Sequence, residues 1–238
     1  MSYRDAMRFD TPLYTVSEAA AIVGVPTSTL ASWAKGYSRR PAGRPSVSGD
    51  AVISFIEPKQ HMAPSIPFVG LAEALVLAAV RRSGVPMQRI RPALDAIQRE
   101  MGVEHALASR KLFTDGAELL FDFGQQHGGT AAATGLLVVV RNGQRVFAEV
   151  VEEYLRRIEY GPSGYAELIR VPTYSTAEVV ADPTRAFGAP IFSGGGAKVS
   201  DVLQRFWAGE TLDELVEEYG VPAAQLEDVL RVASRRAA

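Results

Sequence analysis

The sequence predicts an α+β protein in three parts: a winged helix-turn-helix at the N-terminus, a mixed middle region and an all-helical C-terminal module. Three observations carry that prediction. Capped, amphipathic helical segments pair up at both ends of the chain, around Thr15–Ala34 and Val199–Leu230. A Gly/Pro-punctuated stretch with short apolar runs, YSRRPAGRPSVSGDAVISFIEP, follows the first pair. LLVVVRNGQRVF then gives a strong strand signal, with Asn142-Gly143 as the dipeptide that a tight hairpin prefers.

Thr15 and Glu18 have capping-box spacing, in which each side chain satisfies a free amide at a helix start. Val16, Ala19, Ala20 and Val23 then form one apolar helical face, ended by Gly24. Pro26 launches a second helix near Thr27, with Leu30, Trp33 and Ala34 on its buried side. Two short helices around a glycine turn predict a helix-turn-helix. Pro41, Gly43, Pro45 and Gly49 exclude a helix behind it, and Val47, Val52, Ile53 and Phe55 predict a small hairpin, or wing. This first part is expected to span residues 1–62, with HMAPSIP as a linker.

The middle part, 63–180, opens with a helix from Gly70 to Arg82 that is apolar on nearly every side. Such a helix is buried, inside its own domain or against a second subunit. After a second Gly-Val-Pro at Gly84-Val85-Pro86, Ile90, Ala93, Leu94, Ile97 and Met101 form a helical stripe. Beyond it we expect a turn at Asp115-Gly116, a loop over QQHGGTAAATG, the Asn142-Gly143 hairpin, a short helix in AEVVEEYLRRI and a strand in YAELIRV. The last part, 181–238, is expected to be all-α. Its helices carry the faces Val199/Val202/Leu203/Phe206/Trp207, Leu212/Leu215/Val216/Tyr219 behind a Thr211/Glu214 capping box, and Leu226/Val229/Leu230. A third Gly-Val-Pro, at Gly220-Val221-Pro222, turns between the last two.

The 238 residues carry a net charge of −2, so any case for nucleic acid rests on local asymmetry. There is no cysteine, which excludes disulfides, thiolate metal sites and cysteine nucleophiles and fits a reducing cytoplasm. No signal peptide is visible, and the longest apolar stretch is shorter than the roughly 20 residues that span a bilayer. His61, His105 and His127 are too scattered for a metal site, and no grouping of nucleophile, base and orienting residue is recognisable. The expectation is a cytoplasmic, non-enzymatic protein without cofactor or metal. In SGGGAK the lysine is followed by Val199, so the run reads as a turn and not as a phosphate-binding loop.

Local asymmetry is present. From Ser28 to Gly49 the charged residues are Lys35, Arg39, Arg40 and Arg44, with no acid. Bases in that position neutralise DNA phosphates. Thr27, Ser28, Thr29 and Ser32 supply short donors at the start of the second helix, the end by which a recognition helix enters the major groove. These eight residues are the candidate DNA contacts. The C-terminal module is acidic instead: Asp201, Glu210, Asp213, Glu214, Glu217, Glu218, Glu227 and Asp228 face only Lys198 and Arg205 between Ser193 and Leu230. That face suits a protein partner or self-association, and Leu75, Val76, Phe206 and Trp207 are the candidate interface residues.

TVSEAAAIVGVPTSTLASWAKG resembles the N-terminal helix-turn-helix of the MerR-like superfamily, with Ala31 where that family often has arginine. From Asp182 to Ala233 the chain resembles a small domain that recurs in bacterial antitoxins, through Gly188-Ala189-Pro190-Ile191, Gly194-Gly195 and Val199-Ser200-Asp201-Val202-Leu203. Head and tail together are similar to a VapB-type antitoxin family of actinobacteria. The resemblance implies a DNA-binding antitoxin that acts as a homodimer or higher oligomer. It would repress its own operon and block a PIN-like ribonuclease toxin. The rival expectation is a MerR-like transcriptional regulator that senses a small molecule in its middle region.

Overall fold

A computed structural model of the chain describes residues 3–40, 46–60, 62–82, 94, 98–99, 102–112 and 153–237. The expected turn at Asp115-Gly116, the 125–135 loop, the Asn142-Gly143 hairpin and the second Gly-Val-Pro lie outside the described residues.

The chain starts with a helix that the sequence reading did not foresee, α1 (Tyr3–Phe9), followed by β1 (Pro12–Tyr14), α2 (Val16–Val23) and α3 (Thr27–Lys35). The capping box at α2 forms: Thr15 Oγ1 accepts from the Glu18 amide, and the Glu18 carboxylate accepts from the Thr15 amide. Gly24 closes α2 in the left-handed conformation at φ 78°, its amide donating to the Ala20 carbonyl. A two-stranded antiparallel pair, β2 (Tyr37–Arg39) and β3 (Val47–Gly49), follows α3. Gly36 makes that junction at φ 72°, where a Cβ would stand 2.5 Å from the Gly49 carbonyl oxygen. Only glycine fits there.

Next come β4 (Ile66–Pro67) and α4 (Phe68–Arg82). β4 pairs with β1, and α4 packs on α1 and α2. Every residue from Phe68 to Val80 is buried, as the all-round apolar sequence predicts. The cover comes from the chain itself, which corrects the expectation for Leu75 and Val76. Both are 0% exposed, so neither can form a subunit or partner interface.

A second layer is a four-stranded antiparallel sheet in the order β5 (Ile158–Tyr160), β6 (Ala166–Arg170), β7 (Val179–Ala181) and β8 (Ile191–Phe192). The strand expected in YAELIRV is β6. The C-terminal segment is therefore not all-α, another correction. It contributes β8 and a short 3-10 turn at Ala186–Gly188 before its three helices, α5 (Val199–Trp207), α6 (Leu212–Tyr219) and α7 (Ala223–Ala237). Strands as short as β7 and β8, three and two residues, carry no alternation long enough to read. The SGGGAK run is a turn: the Phe192 amide donates to Ala197 and the Gly196 amide to Phe192. One hydrophobic core runs through these parts, from Tyr14 and Trp33 through α4 to Ile169, Phe192 and Leu226.

Candidate nucleic-acid interface

The start of α3 is open. Pro26 caps it without a side-chain hydrogen bond, and Thr27 and Ser28 are exposed. An uncapped helix N-terminus offers amide donors and a partial positive charge to an anion. Ser32 Oγ donates to the Ser28 carbonyl at 2.9 Å, holding the turn. The opposite face is fixed: Leu30, Trp33 and Ala34 are buried. The Trp33 carbonyl accepts the Val52 amide at 2.7 Å, which ties the segment after β3 to the helix.

Lys35 is exposed, its Nζ 5.2 Å from the centre of the Phe55 ring, and Arg40 is exposed beyond β2. Arg39 stands on β2, in register with Val47. Arg44 lies outside the described residues. The fold thus brings Thr27, Ser28, Thr29, Ser32 and Lys35 onto one short helix and sets Arg39 on the strand that leaves it, with Arg40 just beyond.

Two further bases, Arg81 and Arg82, also reach this corner. Arg81, at the end of α4, donates through Nη1 to Thr29 Oγ1 at 2.9 Å. Arg82 donates to the Gly24 carbonyl at 3.3 Å and lies 5.0 Å from the Tyr154 ring centre. Burial lowers the Arg82 guanidinium from its ordinary value, and the neighbouring Arg157 lowers it further. Arg82 is thus a brace of the helix-turn-helix, while Arg81 extends its cationic edge. Their contacts span more than fifty residues of sequence, so no local spacing could reveal them.

At the other end, the acidic face is smaller than the composition suggests. Asp228 is 2% exposed and accepts from the amides of Ser175, Thr176 and Ala177 and from Ser175 Oγ. Burial pushes its carboxyl up, but these bonds outweigh it and the net shift is downward. Glu210 and Glu218 both grip Arg205, which also donates to the Tyr219 hydroxyl at 3.3 Å. Asp201, Asp213, Glu217 and Glu227 are exposed. Of the two remaining candidate interface residues, Phe206 is half-buried against the core and Trp207 is 63% exposed. Among the described residues no group of three or more His, Asp or Glu could hold a metal ion, and no helix is long and apolar enough to cross a membrane.

Comparison with known proteins agrees with this layout. Residues 12–94 match a family described as "Putative DNA-binding HTH domain", and residues 179–233 match "Protein of unknown function (DUF433)". The chain is 47% identical over 227 residues to "Putative antitoxin VapB45" of Mycobacterium tuberculosis, covering 94% of this chain and 95% of that one. It is 24% identical over 226 residues to Rv2308 of the same organism, an uncharacterized protein. The crystal structure of Rv2018 from Mycobacterium tuberculosis superposes with a TM-score of 0.74 at 38% identity, over 94% of this chain and 99% of that one. With a helix-turn-helix head, a DUF433 tail and that identity over nearly its whole length, the chain belongs to the family of the mycobacterial VapB45 antitoxin.

Proposed function

We infer that the chain is the antitoxin of a type II toxin-antitoxin pair: a binding protein, not an enzyme, that represses its own operon and neutralises a PIN-like ribonuclease in the cytoplasm. The observation that carries the reading is the corner around α3. Its open N-terminus, short donors and flanking bases stand on a helix whose other face is locked into the core, within a chain that is 47% identical to a protein named as an antitoxin.

Thr27, Ser28, Thr29 and Ser32 would approach phosphates and base edges, and Lys35, Arg39, Arg40, Arg44 and Arg81 would neutralise the backbone. The β2–β3 pair would serve as the wing of a MerR-like head. A dimer would place two such helices in successive major grooves about 34–36 Å apart. Chemistry supports the division of labour, since the exposed acids of α5 to α7 are repelled by phosphate and favour protein.

The test is affinity for the DNA upstream of its own gene at several salt concentrations, with and without the protein encoded beside it. The expected results are a steep fall of affinity with salt and a stable complex with the neighbour. Salt-independent binding would remove the DNA reading, and failure to co-purify would favour the small-molecule regulator.

A further inference from the structure

A groove of about 290 Å³ opens between α2 and α5. Leu13, Ile22, Val171, Pro190 and Leu203 line it, and Phe187 forms its rim. Phe187 is 75% exposed, an unusual state for a phenylalanine. It is held there by a strained turn: Ala186 and Phe187 have φ of 48° and 53°, in the left-handed region that non-glycine residues avoid. The turn is pinned from the N-terminal part, because the buried Tyr14 hydroxyl donates to the Gly188 carbonyl at 2.9 Å. Residues held in such conformations cluster at functional sites.

The apolar surface continues beyond the groove. Val199 and Leu203 line it, and Trp207 follows at the same four-residue spacing, so the stripe of α5 leaves the groove on an exposed tryptophan. Thr173 also lines the groove, and its buried Oγ1 has no hydrogen-bond partner.

Charge selects the occupant. The α2 wall carries exposed Glu18 and no base. On α5 the exposed charge is Asp201, since Arg205 is taken by Glu210 and Glu218. Arg185 and Lys198 do not line the groove, and Arg185 approaches Gly196 in the SGGGAK turn instead. A second copy of this chain, docked groove to groove, would set the same acidic walls, with Glu18 and Asp201, against each other.

We propose that this groove, from Phe187 to Trp207, is the toxin-docking surface of the chain and takes an amphipathic segment with apolar anchors flanked by Lys or Arg. The inference rests on the antitoxin reading and adds the surface and the chemistry of the contact. A basic flank is what a ribonuclease presents where it holds RNA phosphates, so docking there would mask the substrate path.

The experiment is calorimetric titration of the full-length chain, wild type and Phe187→Ala/Trp207→Ala, with the purified protein encoded beside it. Both side chains are exposed, so the double variant keeps the wild-type Tm and DNA affinity. The expected result is binding at least about tenfold weaker in the variant, and wild-type binding that weakens as salt rises. Wild-type affinity in the variant overturns the assignment while leaving the antitoxin reading intact. So does a change of oligomeric state with partner affinity retained, which would make the groove a self-association surface. Absence of binding by the wild type overturns both.

Discussion

Single residues divide between those whose role shows in their type and those whose role depends on a distant partner. The donors at the start of α3 and the bases after it are of the first kind, because spacing on a short helix is a local property. Arg81 is of the second kind, as its contact to Thr29 crosses from α4. Replacing both Arg39 and Arg40 by Ala is expected to weaken binding to upstream DNA and to reduce the slope of log affinity against log salt by about 2. Arg81→Ala should reduce it by about 1 under the same measurement. Asp228 shows the opposite lesson: it reads as one more surface acid, yet it clamps the turn at Ser175–Ala177. Asp228→Ala should cost about 3 kcal/mol or more in chemical denaturation, since three amides lose their acceptor. The sign of its pH dependence follows from its lowered pKa: the contribution is present above the ordinary carboxylate range and lost as pH falls through the folded value.

At the scale of elements, capping boxes and apolar stripes were legible because they are local. Both Thr15/Glu18 and Thr211/Glu214 form as their spacing predicts. The misses have physical causes. α1 has only seven residues and is held by tertiary contact, with buried Arg8 paired to Glu167 on β6. β8 has two residues and exists because β7 offers an edge. A further contact joins three elements. Glu73 of α4, 5% exposed, accepts from the Ser54 amide at 2.5 Å and meets His105 Nδ1 at 3.0 Å. His105 Nδ1 is also 2.9 Å from Ser54 Oγ. The hydrogen bond with Glu73 raises the His105 pKa above its ordinary 6.5, against the opposing effect of burial. The added stability is therefore complete below about pH 6.5 and fades as pH rises through the folded value. Thermal unfolding followed across that range should show the wild type losing stability at higher pH, and His105→Ala should flatten the trend. An unchanged profile in the variant would assign the pH dependence elsewhere.

The whole molecule is nearly neutral, but its charge is arranged in opposition. Bases cluster on the strand and helix ends around α3, and exposed acids lie on the C-terminal helices. That polarity was visible in the sequence, because it follows from which residues sit in which segment. What the sequence could not provide was the shared core. β1 pairs with β4, the Tyr14 hydroxyl reaches Gly188, and head and tail meet at one groove. Such contacts join residues too far apart for any local pattern to predict. They also imply that the corner around α3 and the acidic module unfold together, so Tyr14→Phe, which removes one buried hydrogen bond, should lower a single cooperative transition by about 1 kcal/mol. The most direct measurement is the ribonuclease activity of the protein encoded beside this one, titrated with the full-length chain. Activity should fall to background at a fixed molar ratio; undiminished cleavage in the presence of excess chain would contradict the antitoxin reading.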